Sequence, residues 1–227
     1  MTFSESTYQA IYLSVKVGLI STLVSLPFAI LLGYWMARKN FIGKPVLEGI
    51  IHLPLVMPPV ATGYLLLLIF GTKGIIGNWL FEVFGIRLAF AFPAAVLAAI
   101  VVAFPLMVRS IRTAMELIDP KLEQTSLLLG VSHIKTLFKI TIPLAAPGII
   151  SGTVLAFARS LGEFGATISF AGNIPGETQT LPLAIYSKMQ IPGEEQATFM
   201  LVAIAVGISF IAMILSEWSI KKMKLHG

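Results

Sequence analysis

The chain contains no cysteine, so disulfides, thiolate metal ligands and cysteine nucleophiles are all excluded. Histidine is almost as scarce: His52, His133 and His226 share no metal-ligand spacing, and no HExxH pattern occurs. No metal and no cofactor is therefore expected on this chain. There is no GxxxxGK[ST] phosphate loop, so the chain has no ATPase site of its own and no enzymatic role is expected. Charge is thin as well. Asp, Glu, Lys and Arg make up 12% of the 227 residues, against about 25% in a soluble domain. The excess of 16 basic over 11 acidic residues gives a net charge of +5, but these residues gather at the ends of apolar runs rather than on one face. That placement points to membrane orientation, and no nucleic-acid partner is implied. Met1–Ala10 holds Glu5 and no Lys or Arg, so it lacks the basic n-region of a cleaved signal peptide and reads as the start of a retained span.

What the chain does have is long uncharged stretches. Val17–Ala37, Gly49–Thr72, Leu88–Val108, Ile140–Ala158 and Gln196–Ser216 are each 19 to 24 residues long. A helix rising 1.5 Å per residue needs about 20 apolar residues to cross a hydrocarbon core about 30 Å thick. One such run fits a buried helix of a soluble protein; five do not. The expectation is a single all-α membrane domain over 1–227, with about five transmembrane helices near 9–37, 48–72, 88–110, 140–168 and 196–218. Pro54, Pro58 and Pro59 interrupt the second span, because proline cannot donate the helical hydrogen bond. Gly148 and Gly152, in GxxxG spacing, suit close helix packing in the fourth.

Short cytoplasmic loops retain Lys and Arg. Arg38, Lys39 and Lys44 follow the first run; Arg109, Arg112, Lys121, Lys135 and Lys139 follow the third; Lys221, Lys222 and Lys224 follow the fifth. With alternating spans, all fall on one side, which places the N-terminus outside and the C-terminus inside. Lys16 lies near the outer interface, where its stem can snorkel.

The loop between spans three and four, 119–143, is patterned for helices. Asp119 followed by Pro120 is a start signal. Leu122, Leu127, Leu128 and Leu129 supply an apolar face, Gly130 suits a left-handed stop, and Ser132 is placed to cap a second helix running towards Pro143. An apolar helix face on the cytoplasmic side calls for a cover, either a protein groove or the lipid surface.

Gly130, nine further residues, Ile140 and Pro143 resemble the coupling loop of type I ABC-importer permeases, whose pattern is Glu-Ala-Ala, three residues, Gly, nine residues, then Ile-x-Leu-Pro. Here Ile142 replaces the Leu, and Gln124, Thr125 and Ser126 occupy the Glu-Ala-Ala positions, with Glu123 one residue early. The resemblance implies that this loop docks in a cleft of a separate ABC ATPase subunit, which uses the ATP. The coupling set is then Glu123, Gln124, Gly130, Ile140 and Pro143, the contact of the family's Glu falling to Glu123 or Gln124.

Further on, Gly162-Glu-Phe-Gly-Ala166 followed by Gly172-Asn-Ile-Pro-Gly-Glu-Thr178 and Thr180-Leu-Pro182 closely resembles the outer region of molybdate permeases. The likeness extends over essentially the whole chain. It implies a homodimeric pore in the plasma (inner) membrane, two ATPase subunits and an extracytoplasmic molybdate-binding protein, with tungstate or sulfate as alternative cargo. A cavity for an oxyanion needs hydrogen-bond donors, and Thr62, Ser151, Thr153, Ser160, Thr167 and Ser169 are candidates. Arg159 and Glu163, four apart at the outer end of span four, are either a gate or docking point, or an ion pair neutralising itself at the interface. Glu177, Glu194 and Glu195 lie in a long outer loop that can face the binding protein. A secondary transporter driven by an ion gradient, with Glu163 relaying protons, is the competing class.

Overall fold

The computed structural model describes residues 5–224, so His226 lies outside the described residues. Among the described residues the chain is helical, without strands. The elements are α1 (Glu5–Arg38), α2 (Lys44–Val56), α3 (Pro59–Phe70), α4 (Ile75–Phe84), α5 (Phe92–Glu116), α6 (Pro120–Leu128), α7 (His133–Thr136), a π-helical turn (Leu137–Thr141), α8 (Ile142–Leu161), α9 (Gly165–Phe170), α10 (Leu181–Met189) and α11 (Glu195–Lys224). Four helices among the described residues are long and apolar enough to cross a membrane: Glu5–Arg38, Phe92–Glu116, His133–Leu161 and Glu195–Leu215. Taken together as one broken span, α2 and α3 make a fifth.

The second span is two helices bent by 114° at Met57–Pro58. Pro54 stays inside α2, whereas Pro58 and Pro59 set the break: Pro58 has extended ψ and Pro59 opens α3, where its missing N–H has no intrahelical partner to lose. The fourth span also departs from the reading above. Its helix begins earlier, at His133 on the far side of the π turn, and stops at Leu161 rather than near 168. Gly162 and the residues after it break the helix, and α9 then starts afresh.

The long helix α5 is the axis of the domain. It packs against both α1 and α8, which also touch each other, α9 lies against α3 and α5, and α11 covers α8 and α10. The first half of its packed face is lined by Ala94, Ala95, Ala98, Ala99 and Ala103, and the second half by Met107, Ile111 and Met115. Small residues let helix backbones approach closely where lipid supplies no hydrophobic drive. Gly148 and Gly152 do the same from α8. A Cβ on Gly148 would overlap the Ala114 methyl, and one on Gly152 would come within 3.0 Å of Ser110 Cβ. Other large side chains point outward: Leu23, Phe28, Phe199, Val206 and Phe210 are exposed, as suits a surface solvated by lipid.

Candidate functional site

The charged side chains collect at the two ends of the helices. At the end carrying Arg38 and Asp119, the loop from α6 to α8 folds back on α1. Asp119 caps α6 by accepting the Lys121 N–H at 2.9 Å. Gly130 stops that helix with φ +81°, as expected from the sequence. Ser132 occupies the N-cap of α7 but makes no side-chain capping bond. Pro143 has no N–H to return to the preceding turn, and just before it the backbone widens into the π turn that buries Leu137 and Thr141.

Thr141 has a purpose there. Glu123 is buried and receives two hydrogen bonds of 2.9 Å from the Arg38 guanidinium and one of 2.7 Å from the Thr141 hydroxyl. Arg38 also donates to the Ile118 carbonyl at 3.3 Å. Burial alone pushes the Glu123 carboxyl up, but the Arg38 and Thr141 bonds outweigh it and hold the group below its ordinary value. A further seam, Ser126 Oγ to Thr136 Oγ1 at 2.9 Å, closes α6 onto α7. The first and fourth spans and the coupling loop are thus fastened at one carboxylate. Glu123 faces inward, while Gln124, at the Glu position of the family pattern, is exposed. Gly130 and Pro143 are exposed and Ile140 half-buried. Around them Leu122, Leu128, Leu129, Ile134 and Phe138 are exposed; Leu128 at 87% and Leu129 at 78% leave an apolar surface that no described residue covers.

The partnership of Glu123 with Arg38 and Thr141 was not legible in the sequence. Arg38 reads there only as an orientation charge, and 85 residues separate it from Glu123. A second pairing of this kind joins Arg112 to Glu48 of α2 and Glu116 of its own helix, both at 2.7 Å.

At the opposite end, Arg159 and Glu163 form an ion pair at 2.9 Å. They do not share a helix face, because α8 has ended by then. Glu163 instead sits in the break, almost fully buried, and its other oxygen accepts the Ala166 N–H at 2.8 Å in the first turn of α9. The outer loop is closed by its own side chains. Asn173 donates to Ser187, Gln179 donates to Asn173, and Thr178 accepts the Ile174 N–H, all within 3.0 Å. Gly172 and Gly176 take positive φ at its bends, and the Leu181 N–H is anchored on Ser14 of α1. Glu177 and Glu195 are exposed, whereas Glu194 is paired with Lys188 at 3.1 Å.

The pathway candidates are not brought together. Thr62 is buried with an unpartnered hydroxyl on α3, and Thr167 is buried on α9, which packs against α3. The Thr153 hydroxyl returns to the Ile149 carbonyl, Ser160 to Phe157 and Ser169 to Gly165, all within their own helices. Ser151 lines an open groove between α5 and α8. Among the described residues no cluster of three metal-ligating side chains occurs.

Residues 29–225 match the model of a family described as the binding-protein-dependent transport system inner membrane component. The chain belongs to this family. It is accordingly a multi-pass protein of the plasma membrane and a transport subunit of the ABC-importer type. Family relatives include the molybdenum transport system permease protein ModB of Haemophilus influenzae, 54% identical over 95% of this chain and 94% of that one. The ModB of Escherichia coli K12 is 51% identical over 96% and 95%, and the putative molybdenum transport system permease protein YvgM of Bacillus subtilis is 41% identical over 96% and 94%. Among solved structures, the MetNI methionine ABC transporter in an inward-facing conformation aligns with a TM-score of 0.74 at 13% identity, over 97% of this chain and 99% of that chain. A bacterial ABC transporter involved in import of the acidic polysaccharide alginate aligns at 0.72 and 18%, over 98% and 80%. These two are likenesses of fold.

Proposed function

We propose that this family member is the membrane-spanning pore subunit of an ATP-driven molybdate importer. It works as a homodimer with two separate ABC ATPase subunits and an extracytoplasmic molybdate-binding protein. The observation that carries the reading is near-complete alignment at 54% and 51% identity with proteins named as molybdenum transport permeases. The geometry supports the division of labour. Leu128 of α6 and Leu129 after it are exposed, and that loop is tied through Glu123 to the ends of α1 and α8. A push on α6 from an ATPase cleft therefore moves two spans together.

In this reading Gln124, Leu128 and Leu129 touch the ATPase, while Glu123 holds the loop to the membrane domain. Gly130 turns the chain between the two loop helices, and Ile140 and Pro143 lead into α8. The loop end is cytoplasmic, with the N-terminus outside and the C-terminus inside. Glu177 and Glu195, at the other end, face the binding protein. Arg159 and Glu163 fix the break between α8 and α9, where a gate can hinge. Glu163 is an unsuitable contact for a dianion because its own charge is negative.

Reconstitution tests this directly. The purified chain brings down an ABC ATPase subunit. Proteoliposomes containing both, supplied with binding protein and ATP, take up molybdate, and unlabelled tungstate competes more strongly than sulfate. Uptake by the chain alone under a pH gradient would make it a secondary transporter and end this reading.

A further inference from the structure

Five arginines are present, and four of them have evident partners. Arg38 pairs with Glu123, Arg112 with Glu48 and Glu116, and Arg159 with Glu163, while Arg87 lies 4.8 Å from the centre of the Phe81 ring. Arg109 is the exception. It is exposed, and among the described residues it makes no ion pair and no ring contact. It stands about two turns before the end of α5, on the wall of an open groove of about 880 Å³ between α5 and α8.

The same groove is lined by the hydroxyl residues Ser110, Thr113 and Ser151. Thr113 follows Arg109 by four residues, so the two lie on one face of α5. Ser110 donates its proton to the Gly148 carbonyl at 3.0 Å and is committed to holding α8 in place. Leaving a guanidinium in hydrocarbon is costly, so this wall faces water, a protein or an anion. The other charged residue on the groove is Asp119, ten positions further along at the rim, where its carboxylate caps α6.

We infer that Arg109, with Thr113 and Ser151, forms a contact station for a tetrahedral oxyanion on its way through the pore. The guanidinium offers paired N–H donors that fit two oxygens of one oxyanion, and the hydroxyls donate to another. The groove is far larger than a four-oxygen anion, so the ion is held partly hydrated and released easily, as passage requires. This inference rests on the reading that the cargo is an oxyanion.

The test uses the assembled complex in proteoliposomes, with binding protein and ATP, and molybdate as the probe. Arg109→Gln lowers uptake about tenfold or more, the loss of one charge-assisted contact, whereas Arg109→Lys keeps it within about threefold of the unmodified chain. In the nucleotide-free complex, millimolar molybdate slows phenylglyoxal modification of Arg109 relative to chloride at equal ionic strength, read by mass spectrometry. Unchanged uptake by Arg109→Gln, or no protection by molybdate, overturns the assignment. Loss of the ATPase subunit on co-purification of Arg109→Gln also overturns it, by making Arg109 a docking residue. Failure of the unmodified complex to take up molybdate, tungstate or sulfate overturns the oxyanion reading itself, and this inference with it.

Discussion

Neutralising Glu123 would leave the Arg38 guanidinium beside Thr141 and the Ile118 carbonyl with no counter-charge. Breaking a buried pair by removing one partner costs about 3 kcal/mol, so Glu123→Gln is expected to lower the Tm of the purified complex clearly. The pH dependence has a definite sign. Arg38 and Thr141 hold the carboxyl below its ordinary value, so its contribution is complete above the unfolded pKa of about 4.3 and is lost as pH falls through the lower folded value. The Tm gap between the unmodified chain and Glu123→Gln should therefore be constant from pH 5 to 8 and narrow below pH 4. A gap that closes between pH 6 and 8 contradicts the pairing. Gly130 makes a different case. No atom lies within 4 Å of a Cβ placed there, yet φ is +81°. The penalty belongs to the backbone, about 1–2 kcal/mol for any L side chain, rather than to bulk. Gly130→Ala should thus impair ATP-coupled uptake nearly as much as Gly130→Trp, and Gly130→Asn should impair it less. If Gly130→Ala transports normally while Gly130→Trp does not, size and not conformation governs the turn.

Between elements, one tight seam joins α3 to α9. A Cβ on Gly63 would lie 2.5 Å from the Ala166 carbonyl oxygen and 2.8 Å from Ser169 Cβ, and both backbones would have to separate. Overpacking of this sort costs about 1–3 kcal/mol. Gly63→Val should lower Tm and the yield of monodisperse protein, while Gly49→Ala and Gly207→Ala, with nothing within 4 Å, should leave both unchanged. Equal Tm values for all three would mean that α3 and α9 do not pack as described. The sequence announces the long elements well, because uncharged runs of membrane-spanning length and basic residues at their ends are composition signals that need no tertiary context. It also marks the Asp119 cap and the Gly130 stop, both local. It hides α9, whose six residues follow a helix end that no proline announces. It hides the inward turn of Glu123 too, since which face of α6 meets α1 is decided by packing of the whole domain.

For the molecule as a whole, the division into a motor-facing end and an opposite end rests on topology, and the absence of cysteine makes that measurable without a background signal. Leu129 is 78% exposed on the coupling loop, and Glu177 is exposed in the loop that Gly172 and Gly176 bend. Among the described residues, neither side chain makes a hydrogen bond or ion pair that a thiol would break. In intact spheroplasts a membrane-impermeant maleimide should label Glu177→Cys and spare Leu129→Cys; in inverted vesicles the pattern should reverse. Co-expression of the ATPase subunit should then shield Leu129→Cys and leave Glu177→Cys untouched, because an apolar surface that seats in a protein groove loses access to solvent, whereas one resting on lipid does not change when a protein partner arrives. Labelling of Leu129→Cys from the outside would invert the chain and place the leucine surface where no ATP is available. Labelling from the inside that the ATPase subunit fails to suppress would leave the topology intact and move the docking surface elsewhere.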